Sequence, residues 1–149
     1  MRFVFVLLIA SVCLIATASN PEAQTAQQMA GTWYGENPVS KAPDGNPADI
    51  RRWLRVMRAD WTTTITIRFY SNGAMIWEQV RVDEWGLVGA TYWTQCKEVR
   101  TQGQPANCTG RRNEYDVHSL TADEMIYTPR VGDNTRYRVT RVPSHYRLP

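Results

Sequence analysis

The sequence predicts an all-β fold, an eight-stranded antiparallel up-and-down (meander) barrel with one disulfide bond. Three observations lead to this prediction. Short segments of alternating apolar and polar residues follow one another along the chain, separated by turn residues. Eight such segments in sequence order can close into a barrel, which removes the edge strands of an open sheet. The chain also has two cysteines beyond its N-terminal apolar segment, Cys96 and Cys108.

The first residues have the layout of a secretory signal peptide. Arg2 precedes an apolar run from Phe3 to Ile15, and small residues follow as far as Ala18. The apolar run is too short to span a bilayer stably as a helix. We therefore expect cleavage after Ala18 and an exported protein, periplasmic or secreted, without a stable membrane span.

The chain then divides into four parts. We expect residues 1–18 to be the signal peptide, residues 19–29 a polar lead with a short helical turn, residues 30–143 the barrel domain and residues 144–149 a frayed tail. About 130 mature residues are enough for one domain with a sizeable core.

The strands are bounded by loops and turns of recognisable composition. Residues 35–49 contain three prolines and two glycines, which predicts a long loop, and residues 97–111 form a second irregular stretch. The predicted strands are one that opens at Gly31, then Ile50–Arg58, Trp61–Tyr70, Ala74–Val82, Trp85–Gln95, Glu114–Leu120, Met125–Arg130 and Thr135–Val142.

The two mature cysteines are expected to pair. An even number of cysteines in an oxidising compartment favours a disulfide, and closing the short loop between them would stabilise the fold by about 3 kcal/mol. Two free thiols or a metal site are the alternatives. Two cysteines without a nearby histidine pair make a poor zinc site, so no metal is expected.

Charge and motifs exclude several classes of function. The formal net charge is +3, of which Arg2 leaves with the signal peptide, and the basic residues are scattered, so we expect no nucleic-acid partner. His118 and His145 are the only histidines in the sequence. No nucleophile elbow, phosphate loop or dinucleotide fingerprint occurs, so we expect no catalytic residues and no cofactor. An isomerase or a hydrolase is the less favoured alternative.

The register of two strands follows from a hairpin turn. Asn72-Gly73 suits a type I′ turn, which needs positive φ at both central residues. A regular ladder from that turn places Ile65, Ile67 and Glu78 on the inner face and Trp77 on the outer face. The inward carboxylate of Glu78 is the one residue that breaks the apolar pattern of the inner face.

Two neighbouring registers are less defined. If Asp83-Glu84 is a second two-residue turn, Trp93 also points inward, and Tyr92 points outward. The link after strand 50–58 permits two registers with opposite faces. One sends Arg52 inward with Leu54 and Val56, and the other sends Arg55 inward with Trp53 and Met57. Either register brings an arginine into the interior, near Glu78.

The tetrad Gly31-Thr32-Trp33-Tyr34 opens the first strand, and the strand Tyr137–Val142 closes the chain with two arginines. This arrangement resembles the lipocalins of the calycin superfamily. The resemblance implies a cup-shaped barrel that holds a small ligand, with Trp33 at its closed end and Arg141 or Arg138 packed across the indole. The chain departs from the family in two features: it has no Thr-Asp-x-x-Tyr run in a mid-chain turn and no clear C-terminal helix.

The leading functional hypothesis is an exported, non-enzymatic barrel that binds a small, largely apolar molecule. We expect Ile65, Ile67, Trp93 and Tyr115 to form its walls and Glu78 to be a polar anchor. A buried ion pair of Glu78 with an inward arginine, or a filled core without a cavity, is the structural alternative. The alternative function is a periplasmic or envelope module that binds a protein through the disulfide loop and exposed Trp77 and Tyr92.

Overall fold

The computed structural model describes residues 21–149 except 109, 111 and 133, and their side chains from residue 25 onward. The predicted signal peptide lies outside the described residues. One helix, α1 (Pro21–Met29), precedes the strands, where the sequence predicts a short helical turn. The strands are β1 (Gly31–Pro38), β2 (Ile50–Met57), β3 (Thr62–Ser71), β4 (Ala74–Val88), β5 (Thr91–Thr101), β6 (Gln104–Ala106), β7 (Arg112–Leu120), β8 (Glu124–Pro129) and β9 (Tyr137–Val142).

The strands form a closed antiparallel barrel, as the sequence predicts. The order of neighbours is β4-β3-β2-β1-β9-β8-β7-β5, and β4 pairs with β5 to close the ring of eight strands. The short β6 pairs with β5 outside this ring. Because each strand pairs on both sides, the barrel has no open edge, and its interior receives alternate residues of each strand.

The β1 motif lies at one end of the barrel, next to α1. Trp33 is fully buried, and its indole nitrogen donates to the carbonyl of Met29 at 2.8 Å. The guanidinium of Arg141 lies 4.2 Å from the centre of the Trp33 rings. Gly31 has a φ of 145°, and a β-carbon there would lie 2.0 Å from Nη1 of Arg141. Glycine is therefore needed where the arginine crosses the strand, and we call this end the base.

The hairpin between β3 and β4 has the predicted turn but not the predicted register. Asn72 and Gly73 both have positive φ. The ladder then shifts, so that Tyr70 pairs with Met75 while Phe69 pairs with Trp77. The predicted regular ladder is wrong because a bulge inserts one extra residue into β4, which exchanges the faces of all residues beyond it.

Packing explains the bulge. It turns Trp77 to the inner face, where the indole is 7% exposed and lies edge-on to Phe69 at 5.4 Å. Ala42 and Ala48, from the loop between β1 and β2, complete this small cluster. The long loop therefore packs over the ends of β3 and β4, and the outward position predicted for Trp77 is wrong.

The predicted turn at Asp83-Glu84 is also wrong. β4 runs without interruption to Val88, and the chain reverses at Gly89, which has a φ of 60°. Glycine supplies positive φ without steric cost, whereas Asp-Glu does not, so the tertiary structure places the turn at the glycine. Asp83 consequently lies within a strand and is fully buried.

The disulfide and the C-terminal residues lie on the outside of the barrel. Cys96 and Cys108 form the predicted disulfide. The tail is not frayed: Tyr146 packs on Tyr34 with ring centroids 5.5 Å apart, and Leu148 is buried. Arg68 on the outer surface donates to the carbonyl of Leu148 at 2.9 Å. These contacts hold the C-terminal residues against the barrel, where the sequence predicts a frayed tail.

Candidate ligand cavity

The barrel encloses a cavity of about 270 Å³ between its middle and the end remote from Trp33. Its aromatic walls are Trp53, Tyr115, Tyr127 and Tyr137. Its aliphatic lining consists of Ile65, Ile67, Pro129 and Val131, and its basic residues are Arg51, Arg55 and Arg81. Val131 is 67% exposed, which shows that the cavity opens to solvent on this side. The interior is therefore not a completely filled core.

The aromatic wall is a connected set of rings. Tyr92 and Tyr115 stack with centroids 4.5 Å apart, and Tyr127 meets both rings edge-on. Trp53 meets Tyr137 edge-on at 5.7 Å. Burial raises the pKa of Tyr92 well above its ordinary value, although Arg55 opposes this shift. The Tyr92 phenol is therefore neutral at physiological pH, and it offers a flat face and a hydroxyl group without a negative charge.

Arg55 is the deepest charged residue of the cavity. β2 takes the register that sends Trp53, Arg55 and Met57 inward, one of the two that the sequence allows. The Arg55 side chain is 6% exposed, and its Nη1 donates to the hydroxyl of Tyr92. Its Nε is buried without a hydrogen-bond partner among the described residues. The predicted partner of this arginine, Glu78, is not on the inner face.

Arg81 and Asp83 form the ion pair of the interior. Nη2 of Arg81 lies 3.0 Å from Oδ2 of Asp83, and Nε lies 3.3 Å from Oδ1, so the guanidinium contacts both carboxylate oxygens. Burial raises the pKa of Asp83, while Arg81 and Arg55 act to lower it. The geometry is a two-point pairing in which each partner offsets the buried charge of the other.

Arg51 lies nearer the open end. Its guanidinium carbon is 5.1 Å from the centre of the Trp53 rings and 5.3 Å from that of Tyr137. Its Nε donates to Oδ1 of Asn37 at 3.0 Å. In the part of the chain that the structure describes, no carboxylate lies within ion-pair distance of Arg51 or Arg55. Neither residue therefore has a carboxylate in direct contact among the described residues, although Asp83 and Arg55 act on each other electrostatically.

Three of the five predicted ligand-binding residues line the cavity: Ile65, Ile67 and Tyr115. Glu78 is on the outer surface, where its Oε2 lies 2.7 Å from Nε of Arg68. Its predicted inward orientation is wrong because of the β4 bulge, and so is its pairing with an interior arginine.

Trp93 is the second predicted wall residue that lies outside the barrel. It crosses Gly86, where a β-carbon would come within 2.6 Å of its ring, and Arg112 covers its other face at 4.3 Å. Tyr92 takes the inward position instead and is fully buried. Because Trp77 is buried as well, neither aromatic residue of the predicted protein-binding surface is exposed.

Four residues of the site are not among those that the sequence predicts: Arg81, Asp83, Tyr127 and Tyr137. A signal for the first two exists: Arg81, Asp83 and Trp85 alternate on one face once β4 is continued to the Gly89-Ala90 turn. The false turn at Asp83-Glu84 concealed this alternation. The sequence predicts the strands that carry Tyr127 and Tyr137, but no turn in it defines which face of those strands points inward.

Comparison with known proteins finds no matching family model and no matching curated protein. Among the described residues, no group of histidine, cysteine and acidic side chains is arranged to hold a metal ion. None of the described helices is long and apolar enough to cross a membrane.

Proposed function

We propose that this chain is an exported, lipocalin-like protein that binds a small, largely apolar molecule inside its barrel and has no catalytic activity of its own. The observation that carries the proposal is the open cavity of about 270 Å³ lined by aromatic and aliphatic side chains. Ligand pockets commonly combine such walls with a few placed polar groups. The disulfide between Cys96 and Cys108 fits the oxidising conditions that an exported protein meets.

The size of the cavity supports a compact ligand. Its volume is near the lower end of the roughly 300–1,000 Å³ typical of small-molecule sites. An aromatic ligand of one or two rings matches this volume and could stack on Tyr115 or Trp53. The ligand would enter at the end remote from Trp33, because α1, Trp33 and Arg141 fill the base.

The test is calorimetric titration with two aromatic probes of the same size, 2-naphthoate and 2-naphthamide. We expect at least one probe to bind with one-to-one stoichiometry. The variant Ile67→Trp fills the cavity from its wall and should abolish binding. Val88→Trp adds the same ring at a position that is 62% exposed, near the base, and should leave binding unchanged.

Circular dichroism and thermal melting establish that both variants are folded. If neither probe binds to the wild-type protein, the proposed function is wrong. Unchanged binding to folded Ile67→Trp would show that the probes bind elsewhere, which also contradicts it.

A further inference from the structure

The cavity carries more positive charge than the protein itself neutralises. Arg51, Arg55 and Arg81 line it, and among the described residues Asp83 is the one carboxylate paired with any of them. Tyr92, which accepts a hydrogen bond from Arg55, does not supply a negative charge, because burial raises the pKa of its phenol. The site thus has two arginines, Arg51 and Arg55, without a carboxylate in direct contact among the described residues, and Arg55 is buried.

The excess charge is not explained by the ion pair. Arg81 contacts both oxygens of Asp83, which is the complete two-point geometry of an arginine and a carboxylate. Arg55 stands beyond this pair, and its Nε is a buried donor without an acceptor in the described part of the chain. Buried donors are normally paired, so an orphaned donor on a buried charged group calls for an acceptor from outside the protein.

The side chains around Arg55 indicate what kind of molecule could carry that acceptor. Its guanidinium carbon lies 5.4 Å from the centre of the Tyr92 ring and 5.7 Å from that of Tyr115. A ligand group that reaches Arg55 from the open end must pass Trp53 and Tyr115, whose rings line the way. A ligand with an acidic group at the inner end of a flat, apolar body would supply the acceptor for Arg55 and pack against the rings of Trp53 and Tyr115.

We infer that the cavity takes an aromatic organic anion, a carboxylate or sulfonate whose acidic group is held by Arg55 and whose ring lies against the tyrosines. This inference rests on the proposed function and specifies its ligand class. The anion oxygens accept hydrogen bonds from Arg55, including its orphaned Nε. Arg51 at the outer part of the cavity supplies a second positive charge, which favours anions as they enter.

The two naphthalene probes test this inference directly, because 2-naphthoate and 2-naphthamide differ in charge and hardly in shape. We expect 2-naphthoate to bind at least about tenfold more tightly, since a hydrogen-bonded charge pair is worth at least that factor. Equal affinities, or tighter binding of the amide, would overturn the inference and leave the proposed function standing. An absence of binding by both probes would contradict the proposed function itself.

Variants identify the residue that holds the anion. Arg55→Gln should reduce the affinity for 2-naphthoate at least about tenfold and leave that for 2-naphthamide within about twofold. Arg51→Gln, nearer the surface, provides a second test if Arg55→Gln does not fold, and should weaken the naphthoate selectively. Arg100→Gln is the matched control, because Arg100 pairs with Glu98 on the surface and both are 58% exposed.

Equal loss of both probes in Arg55→Gln or Arg51→Gln would mean that these residues shape the cavity without recognising charge, which would overturn the inference. A sulfate titration tests the aromatic part. If equimolar sulfate displaces 2-naphthoate, the site holds small inorganic anions and the assignment to an aromatic anion is wrong.

Discussion

The base of the barrel and the inner part of its cavity each place an arginine against aromatic rings, on the two strands that flank Trp33, with opposite outcomes. At the base, Arg141 covers Trp33 at 4.2 Å and donates to the carbonyls of Gln28, Ala30 and Ala122. In the cavity, Arg55 lies 5.4 Å from the Tyr92 ring, and its Nε has no partner among the described residues. β9 and β2 each supply an arginine to the inner face of the barrel.

Arg141 and Arg55 differ in their hydrogen bonds, and this difference indicates a structural role for Arg141 and supports a binding role for Arg55. The three carbonyls around Arg141 satisfy its donors and tie α1 and the β7–β8 turn to the last strand. Arg55 donates to the hydroxyl of Tyr92, and its Nε is a buried donor without a partner among the described residues. A buried guanidinium without a carboxylate in direct contact is costly for folding, which supports the role in ligand binding that we propose for Arg55.

The largest expected effect comes from replacing each arginine by methionine, which keeps much of the volume and removes the charge. Arg141→Met should lower the free energy of unfolding by about 3 kcal/mol, because it removes several charge-assisted hydrogen bonds. Arg55→Met should change it by less than about 1 kcal/mol in either direction, because it also removes an uncompensated buried charge. Urea denaturation measures both values.

Equal destabilisation by the two methionine variants would contradict the comparison and assign a structural role to Arg55. Arg138→Met is the control for a surface arginine on the same strand as Arg141. Arg138 is 69% exposed and pairs with Glu124, so its replacement should have little effect.

A smaller effect is expected from two glycines that each lie under a tryptophan. A β-carbon at Gly35 would come within 2.2 Å of Trp53 in the cavity wall, and one at Gly86 within 2.6 Å of Trp93 outside. Gly35→Ala should cost about 2 kcal/mol, because Trp53 is 5% exposed and has little room to move. Gly86→Ala should cost less than half as much, since Trp93 can move into solvent.

The same glycine pair separates the cavity from the outer surface in binding. Displacing Trp53 alters the wall, so Gly35→Ala should weaken 2-naphthoate binding severalfold, whereas Gly86→Ala should leave it unchanged. Calorimetry on the two folded variants makes the comparison. A loss of affinity in Gly86→Ala alone would place the ligand near Trp93 on the outside and contradict the cavity assignment.

The smallest effect concerns pH. Burial raises the pKa of Asp83, and the charged groups that face it are Arg81 on its own strand and Arg55 on β2. As pH falls through this raised pKa, Asp83 loses its negative charge, Arg81 is no longer neutralised, and the cavity gains one positive charge. Anion affinity should therefore increase by roughly three- to fivefold between neutral pH and a pH below this raised pKa, the scale of one screened charge at close range.

The probe for the pH test is 2-naphthalenesulfonate, which stays ionised throughout this range. Asp83→Asn is the control, because its affinity should not vary with pH. A decrease in affinity on acidification of the wild-type protein, or the same slope in Asp83→Asn, would show that Asp83 is not the group that titrates.

Much of the fold could be predicted because its signals are local. Alternation, turn residues and cysteine number give the antiparallel meander, the Asn72-Gly73 turn and the disulfide between Cys96 and Cys108. The errors share one cause. Register has a period of two, so one extra residue at the β4 bulge sent Glu78 outside and Trp77 inside, and one misplaced turn at Asp83-Glu84 concealed a whole inward face.

The site was predictable only in part for the same reason. Ile65 and Ile67 lie on the face that the hairpin register predicts, and Tyr115 lines the cavity although no register was available for its strand. The sequence also indicated that strand 50–58 sends an arginine inward, but not whether it was Arg52 or Arg55. The sequence could not predict that Asp83 lies near this arginine. The two residues are on β4 and β2, which are not adjacent, and the relative height of these strands depends on every register between them.

The sequence by itself determined the strand order, the reversal at Asn72-Gly73, the disulfide pairing and the arrival of an arginine in the interior, since each depends on a residue and its near neighbours. The tertiary structure alone decided which face each residue beyond the bulge takes, where β4 ends, and that Asp83 pairs with Arg81, while Arg55 has no carboxylate in direct contact among the described residues. These features depend on packing, because the loop cluster around Trp77 and the closure of β4 on β5 select one register among several that the local sequence permits.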